Sequence, residues 1–325
     1  MGMMRWKRAA ARLKDKRILV FGAGVIGSLY AGKLTLSGHN VTLLARNKRL
    51  DELREKGLLL KSIPNGKTEK ADVPLISELE ADDRYDYVLV ALQQVHVGEA
   101  LPSLQRNNSL NFIFMVNTPN GYAEWTDALG RARVIPAFPG AGGRIENGAV
   151  HYTLTSRLVQ PTTIGEIGGK KTDRIIEIAN ALKKAGFPVA LSETMDTWQK
   201  SHVAMVSALA AGIYFDGGDN YSLAKNGKAV NRMAFALKEN FHFLHSSGIG
   251  VTPFKLNLFR YIPSPLVQFV LPLIFNTEWA ETVISNHALS GRKEMDSLTR
   301  DFIALAESKG YDLNELRQLS RGFSP

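Results

Sequence analysis

Three glycines in the run Gly22-Ala23-Gly24-Val25-Ile26-Gly27 have the spacing that lets a backbone hold a pyrophosphate. In a G-x-G-x-x-G turn the first glycine makes the tight bend. The second has no Cβ, so the chain can approach the phosphates, and the third lets a helix pack close against its strand. The helix that follows presents unpaired N–H groups and a partial positive charge to the anion. The motif alone is a weak signal, and its surroundings strengthen it. Residues 18–21 read as a buried parallel strand, residues 28–34 as a helix, and residues 41–45, after Gly38-His39-Asn40, as a second strand. Gly22, Ala23, Gly24, Val25, Ile26 and Gly27 are therefore candidate cofactor-binding residues.

The residue that ends the second strand selects between dinucleotides. An Asp or Glu there bonds the ribose 2′-hydroxyl of NAD. Here the position is Arg46, followed by Asn47, Lys48 and Arg49, with no acid before Asp51. A carboxylate would repel a 2′-phosphate, whereas a guanidinium binds it with paired donors. The expected cofactor is NADP(H), and the competing reading of this stretch is a solvated basic loop.

These residues need a scaffold, and the chain supplies one in order. The first half alternates short apolar strands with helical stretches, the pattern of an α/β Rossmann domain with a doubly wound, mostly parallel sheet. Residues 87–92 and 112–116 are its strongest strand candidates. Asn120-Gly121 follows the second of them, at the carboxyl edge where ligands sit. Residues 141–143 read as a flexible turn, and residues 150–153 and 162–165 as antiparallel additions. From Ser192 onward the pattern turns helical, with helices expected over residues 195–215, 228–246, 280–309 and 313–319. The domain reading is a basic arm over residues 1–16, a nucleotide-binding domain over 17–191, and an all-α domain over 192–325. Residues 261–275 are strongly apolar, but they are short and carry Pro263, Pro265 and Pro272, which argues against a membrane span. A buried segment, a lid or a subunit contact fits better, and the last makes a homodimer reasonable.

The bulk numbers are consistent with a soluble enzyme. The 325 residues contain no cysteine, which excludes disulfides, a thiol nucleophile and thiolate metal sites and fits a reducing cytoplasm. No spacing resembles another metal site. The net charge of +9 is concentrated at one end: seven cations against Asp15 in the first 17 residues carry +6 of it. No nucleic-acid reader motif accompanies them, so nucleic acid is not an expected partner.

A nucleotide domain with Arg46 at the discriminating position, followed by an all-helical domain, resembles the ketopantoate reductase family over roughly residues 16–320. The matching pieces are the phosphate turn, Arg46, Asn120-Gly121, Trp198-Gln199-Lys200 on the first helix of the second domain, and Glu294 on a late helix. The resemblance implies NADPH-dependent reduction of a 2-oxo acid or related small carbonyl compound. It makes Lys200 and Glu294 the catalytic pair, with Lys200 as general acid, and puts Asn120 near the nicotinamide and the substrate. Hydride delivery to a ketone builds negative charge on oxygen and calls for such a proton donor. Thr282 stands where the family has a substrate-binding serine, and His287, seven residues before Glu294, is a further substrate candidate. The departures are Gln93 in place of a family lysine, and Ala204 and Ala208 in place of substrate-binding asparagines. Losing those anchors weakens the case for ketopantoate itself. Two other readings stay open: a non-catalytic NADP(H)-binding sensor, and an opine- or hydroxyacid-type dehydrogenase.

Overall fold

Strand β1 (Arg17–Phe21) is the centre of the first unit because every residue after its first is buried, leaving no polar face for water. We describe a computed structural model, which covers residues 16–285, 289 and 291–323. The expected basic arm lies outside these residues except for Lys16. The chain divides into two compact units: residues up to Val116 together with Tyr122–Met195, and Asn117–Gly121 together with residues from Asp196 onward.

In the first unit β2 (Asn40–Leu44) and β6 (Tyr87–Val90) flank β1, both in parallel. β7 (Phe112–Met115) and β8 (Val134–Phe138) extend the sheet in parallel beyond β6. β11 (Thr162–Ile164) joins β8 antiparallel, as expected, and β12 (Val189–Leu191) pairs with β11 in parallel. With β5 (Leu75–Ile76) beside β2, the order is β12-β11-β8-β7-β6-β1-β2-β5. The chain leaves β1 toward β2 and crosses back to β6 on the other side. The end of β1 is therefore the point where strand order reverses and a crevice opens. Helices α1 (Val25–Leu36) and α2 (Asn47–Lys56) follow β1 and β2.

Two expectations in this unit are corrected. Residues 141–143 are no turn; they begin β9 (Ala141–Glu146), which pairs antiparallel with β10 (Ala149–Leu154). A Cβ on Gly143 would stand 2.1 Å from the His151 carbonyl oxygen, so the glycine answers a close cross-strand approach. β10 does not join the main sheet. It pairs in parallel with β3 (Leu58–Ser62), which pairs with β4 (Thr68–Ala71), giving a second, four-stranded sheet.

The second unit packs helices around their own core. α6 (Met195–Phe215) has the expected bounds, and α8 (Gly227–Ser246) buries Val230, Met233, Leu237, Phe241 and Leu244. The single helix expected over residues 280–309 is broken. A short turn (Glu278–Ala280) and a π-helical stretch (Glu281–Ser285) precede a separate helix, α10 (Arg292–Glu307), capped by Gly291. The apolar run forms α9 (Ser264–Phe275). Val267, Leu271 and Phe275 enter the core, while Leu266, Phe269, Val270 and Leu273 are exposed on its other side. Among the described residues, no helix is long and apolar enough to cross a membrane.

Candidate functional site

The phosphate turn is built by steric necessity. Gly22 adopts φ +111°, and a Cβ on it would meet the Ala91 carbonyl oxygen at 2.7 Å. Its N–H donates to the Leu44 carbonyl at 3.2 Å, which ties the turn to the end of β2. A Cβ on Gly27 would stand 1.7 Å from the Gly22 carbonyl oxygen, so helix and turn can approach this closely only with glycine there. In front of Gly24 there is open space, with nothing within 4 Å of a built Cβ. That residue caps α1 without a side-chain hydrogen bond, and the helix's first turn carries no acid. Its leading N–H groups and partial positive charge are thus left for an anion.

A cavity of about 400 Å³ begins at this turn. Phe21, Leu44, Leu92, Ala100 and Ile145 make its apolar wall, and Arg46, Arg49, His96 and Glu99 its polar rim. The two arginines differ in what they are free to do. Arg49 donates to the carbonyls of Ala23 (3.2 Å) and Gly148 (3.0 Å) and to Glu52 (3.3 Å), so it holds the protein together. Arg46 is exposed, and its guanidinium lies 5.8 Å from the centre of the Phe21 ring. Sequence reasoning missed His96 and Glu99, which sit 3.9 Å apart beyond the carboxyl end of β6. Their place after a strong strand candidate was the available signal.

The donor set fits a dinucleotide: bare backbone amides, room before Gly24, an apolar slot, and a cation free to meet a phosphate. Lengthening Gly27 to alanine is expected to close this cradle. NADPH affinity should fall about a hundredfold or more, ~2.7 kcal/mol, in a fluorescence titration with unchanged circular dichroism. Wild-type affinity in Gly27→Ala would mean the turn does not carry the phosphates.

In the second unit Lys200 lies on α6 with 13% of its side chain exposed. Its Nζ donates to Asp196 Oδ1 at 2.5 Å and also to Oδ2, one turn earlier on the same helix. Asp196 is in the helix's first turn, where an anion is favoured, and an acid four residues before a lysine is the better orientation for the pair. Sequence reasoning missed Asp196, although the i, i+4 spacing was there to read. The Asn120 loop reaches the same place. Asn117–Gly121 groups with the helical unit, and a Cβ on Gly121 would stand 3.5 Å from Asp196 Oδ1. Asn120 is exposed, and its N–H donates to Thr118 Oγ1 at 3.1 Å.

Other candidates are placed less closely. Glu294 is half-buried in the first turn of α10. Thr282 lies in the π-helical stretch with its side chain outside the description, and His287 is outside the described residues. Gln93 directly precedes the 3-10 turn Gln94–His96. Ala204 and Ala208 are completely buried in the helical core, and the Ala204 carbonyl accepts from Asn240 Nδ2 at 2.8 Å.

Residues 18–169 match the family model described as Ketopantoate reductase PanE/ApbA. Over these residues, just under half of the chain, the sequence is similar to the ketopantoate reductase family. A 2-dehydropantoate 2-reductase of Mesorhizobium japonicum is 28% identical over 211 residues, covering 57% of this chain and 63% of that protein. The chain spans 60–63% of the length of this and two other curated relatives it matches. A putative ketopantoate reductase from Ralstonia solanacearum MolK2 superposes with TM-score 0.77 at 16% identity, covering 95% of this chain and 96% of that one. D-mandelate dehydrogenase, solved with NADH and anilino(oxo)acetate, superposes with TM-score 0.74 at 16% identity, covering 94% and 96%. The ketopantoate reductase-like fold, a mostly parallel sheet followed by helices, thus extends over nearly the whole chain.

Proposed function

We propose that this chain is an NADPH-dependent reductase of a 2-oxo acid or a related small carbonyl compound, with Lys200 as general acid. The observation that carries the reading is the sheltered ammonium of Lys200, gripped by Asp196 with the Asn120 loop beside it. Backbone amides of the turn beyond Gly22, through Gly27, take the pyrophosphate, and the exposed Arg46 takes the 2′-phosphate. When bound, the nicotinamide supplies a hydride to the carbonyl carbon. Negative charge then grows on the carbonyl oxygen, where Lys200 Nζ hydrogen-bonds and releases a proton as the hydroxyl forms. Glu294 accepts from the new hydroxyl, Asn120 orients the substrate, and Thr282 and His287 offer polar contacts to its carboxylate. NADPH oxidation across a panel of 2-oxo acids tests the reading. Turnover of at least one member is expected, whereas NADPH binding with no turnover on any would favour a sensor.

A second reading concerns substrate. Ala204 and Ala208, buried among apolar side chains, offer no amide to a polar substrate tail. That favours a hydroxyacid-type dehydrogenase, the class to which D-mandelate dehydrogenase belongs by name. Phenylglyoxylate preferred to ketopantoate in the same panel would select it.

Asp196 adds a prediction of its own. Asp196→Ala leaves the ammonium without its carboxylate, and small errors in the position of a proton donor are costly. We expect kcat to fall about tenfold, ~1.4 kcal/mol, with NADPH affinity unchanged and partial recovery in Asp196→Glu. An unaltered kcat would mean that the pair only decorates the helix.

A further inference from the structure

A second cavity, of about 410 Å³, lies wholly within the helical unit. Phe235, Lys238, Glu239 and His242 line it from α8, Arg260 from the 3-10 stretch Phe254–Arg260, and Glu315 from helix α11 (Asn314–Ser320). The α8 residues follow the i, i+3, i+4, i+7 spacing of one helix face.

The charges in this cavity are not equally satisfied. Both acids are occupied: Glu239 accepts the backbone N–H groups of Asn314 (3.0 Å) and Glu315 (3.2 Å), and Glu315 faces Arg232 at 3.5 Å. Burial also pushes the Glu239 carboxyl above its ordinary range, against the pull of those N–H groups. The cations lack acids. Lys238 has no hydrogen bond or ion pair among the described residues. Arg260 donates from Nη1 to Asn257 Oδ1 at 3.0 Å and stacks 5.0 Å from the Tyr261 ring, but its Nε–H is buried without an acceptor. His242 makes one 3.3 Å contact with Ser246 Oγ. A buried cationic donor without an acceptor is costly, so the missing partner here is an anion. Phe235, partly exposed, adds an aromatic wall.

We propose that this cavity binds a small organic phosphate, with Lys238 and Arg260 on the phosphoryl oxygens and Phe235 against the apolar body. A phosphoryl group offers several strong acceptors at once, which suits an ammonium and a guanidinium arriving from two elements. The site is separate from the dinucleotide cavity and does not depend on the reductase reading.

The test is calorimetric titration of the full chain with phenyl phosphate, which carries the two required parts and no adenine. Saturating NADP⁺ keeps the first cavity occupied. Saturable binding is expected, tighter than that of inorganic phosphate or phenol. Lys238→Ala and Arg260→Ala should each weaken it about tenfold or more, as should Lys238→Gln, which keeps most of the stem and guards against a folding artefact. Arg300→Ala removes one positive charge from another exposed helix face and should leave binding unchanged. Absence of saturable binding up to about 10 mM phenyl phosphate would overturn the proposal. So would affinities that Lys238 and Arg260 variants leave intact, or that Arg300→Ala weakens equally.

Discussion

Replacing Lys200 with alanine is expected to lower kcat about a hundredfold or more while NADPH binds as before. The size follows from the role. A positioned proton donor contributes about two to four orders of magnitude, and two orders correspond to ~2.7 kcal/mol of barrier. The separation of effects follows from location, because Lys200 lies in the helical unit whereas the phosphate turn and Arg46 lie in the other. The variant should fold. The side chain's one described partner is Asp196, which is 47% exposed and can return to water when the ammonium is gone. Single-turnover and steady-state rates should fall together, as expected when an interaction made only in the transition state is lost. Unchanged turnover in Lys200→Ala would assign the proton donor elsewhere.

Arg46→Ala is expected to weaken NADPH about thirtyfold or more, ~2 kcal/mol, and NADH by less than about threefold. The contrast rests on how the two arginines of the rim are employed. Arg49 is committed to two carbonyls and Glu52, so removing it would disturb the turn for both cofactors. Arg46 has its guanidinium exposed near the Phe21 ring and has few protein contacts to lose. Its deletion should therefore be felt mainly by the ligand that carries a 2′-phosphate. Parallel titrations of both nucleotides check this, and equal weakening would exclude a 2′-phosphate contact. The same experiment at raised salt should narrow the difference, since an exposed ion pair is screened.

How much of this was legible depends on how local each feature is. The β1–turn–α1 unit is specified by neighbouring residues: an apolar run, then three glycines, two of which meet backbone oxygens if lengthened. It could be read residue by residue. β9 could not, because Gly142-Gly143 looks like a turn until β10 is laid across it, and β10 in turn takes its parallel partner, β3, from about ninety residues earlier. Nothing local announces such a pairing. The helix start at Gly291 was hidden for a related reason. Periodicity over residues 280–309 looks continuous, and the π-helical stretch and Gly291 interrupt it without a proline. At the candidate site Arg46 and Lys200 stand out by type and order. Asp196 needed the helix to be drawn before its four-residue offset meant anything, and the grouping of Asn117–Gly121 with the helical unit is a tertiary fact.

Hydride transfer by this chain is tested most directly by following the label from NADPH deuterated at the transferring position of C4. Incubation with the best 2-oxo acid of the panel should give a 2-hydroxy acid carrying one deuterium at C2, seen as a one-unit mass increase. The same mixture with Lys200→Ala should give almost none. A hydroxy acid without the label, or no hydroxy acid from the wild-type chain with any 2-oxo acid tried, would contradict it.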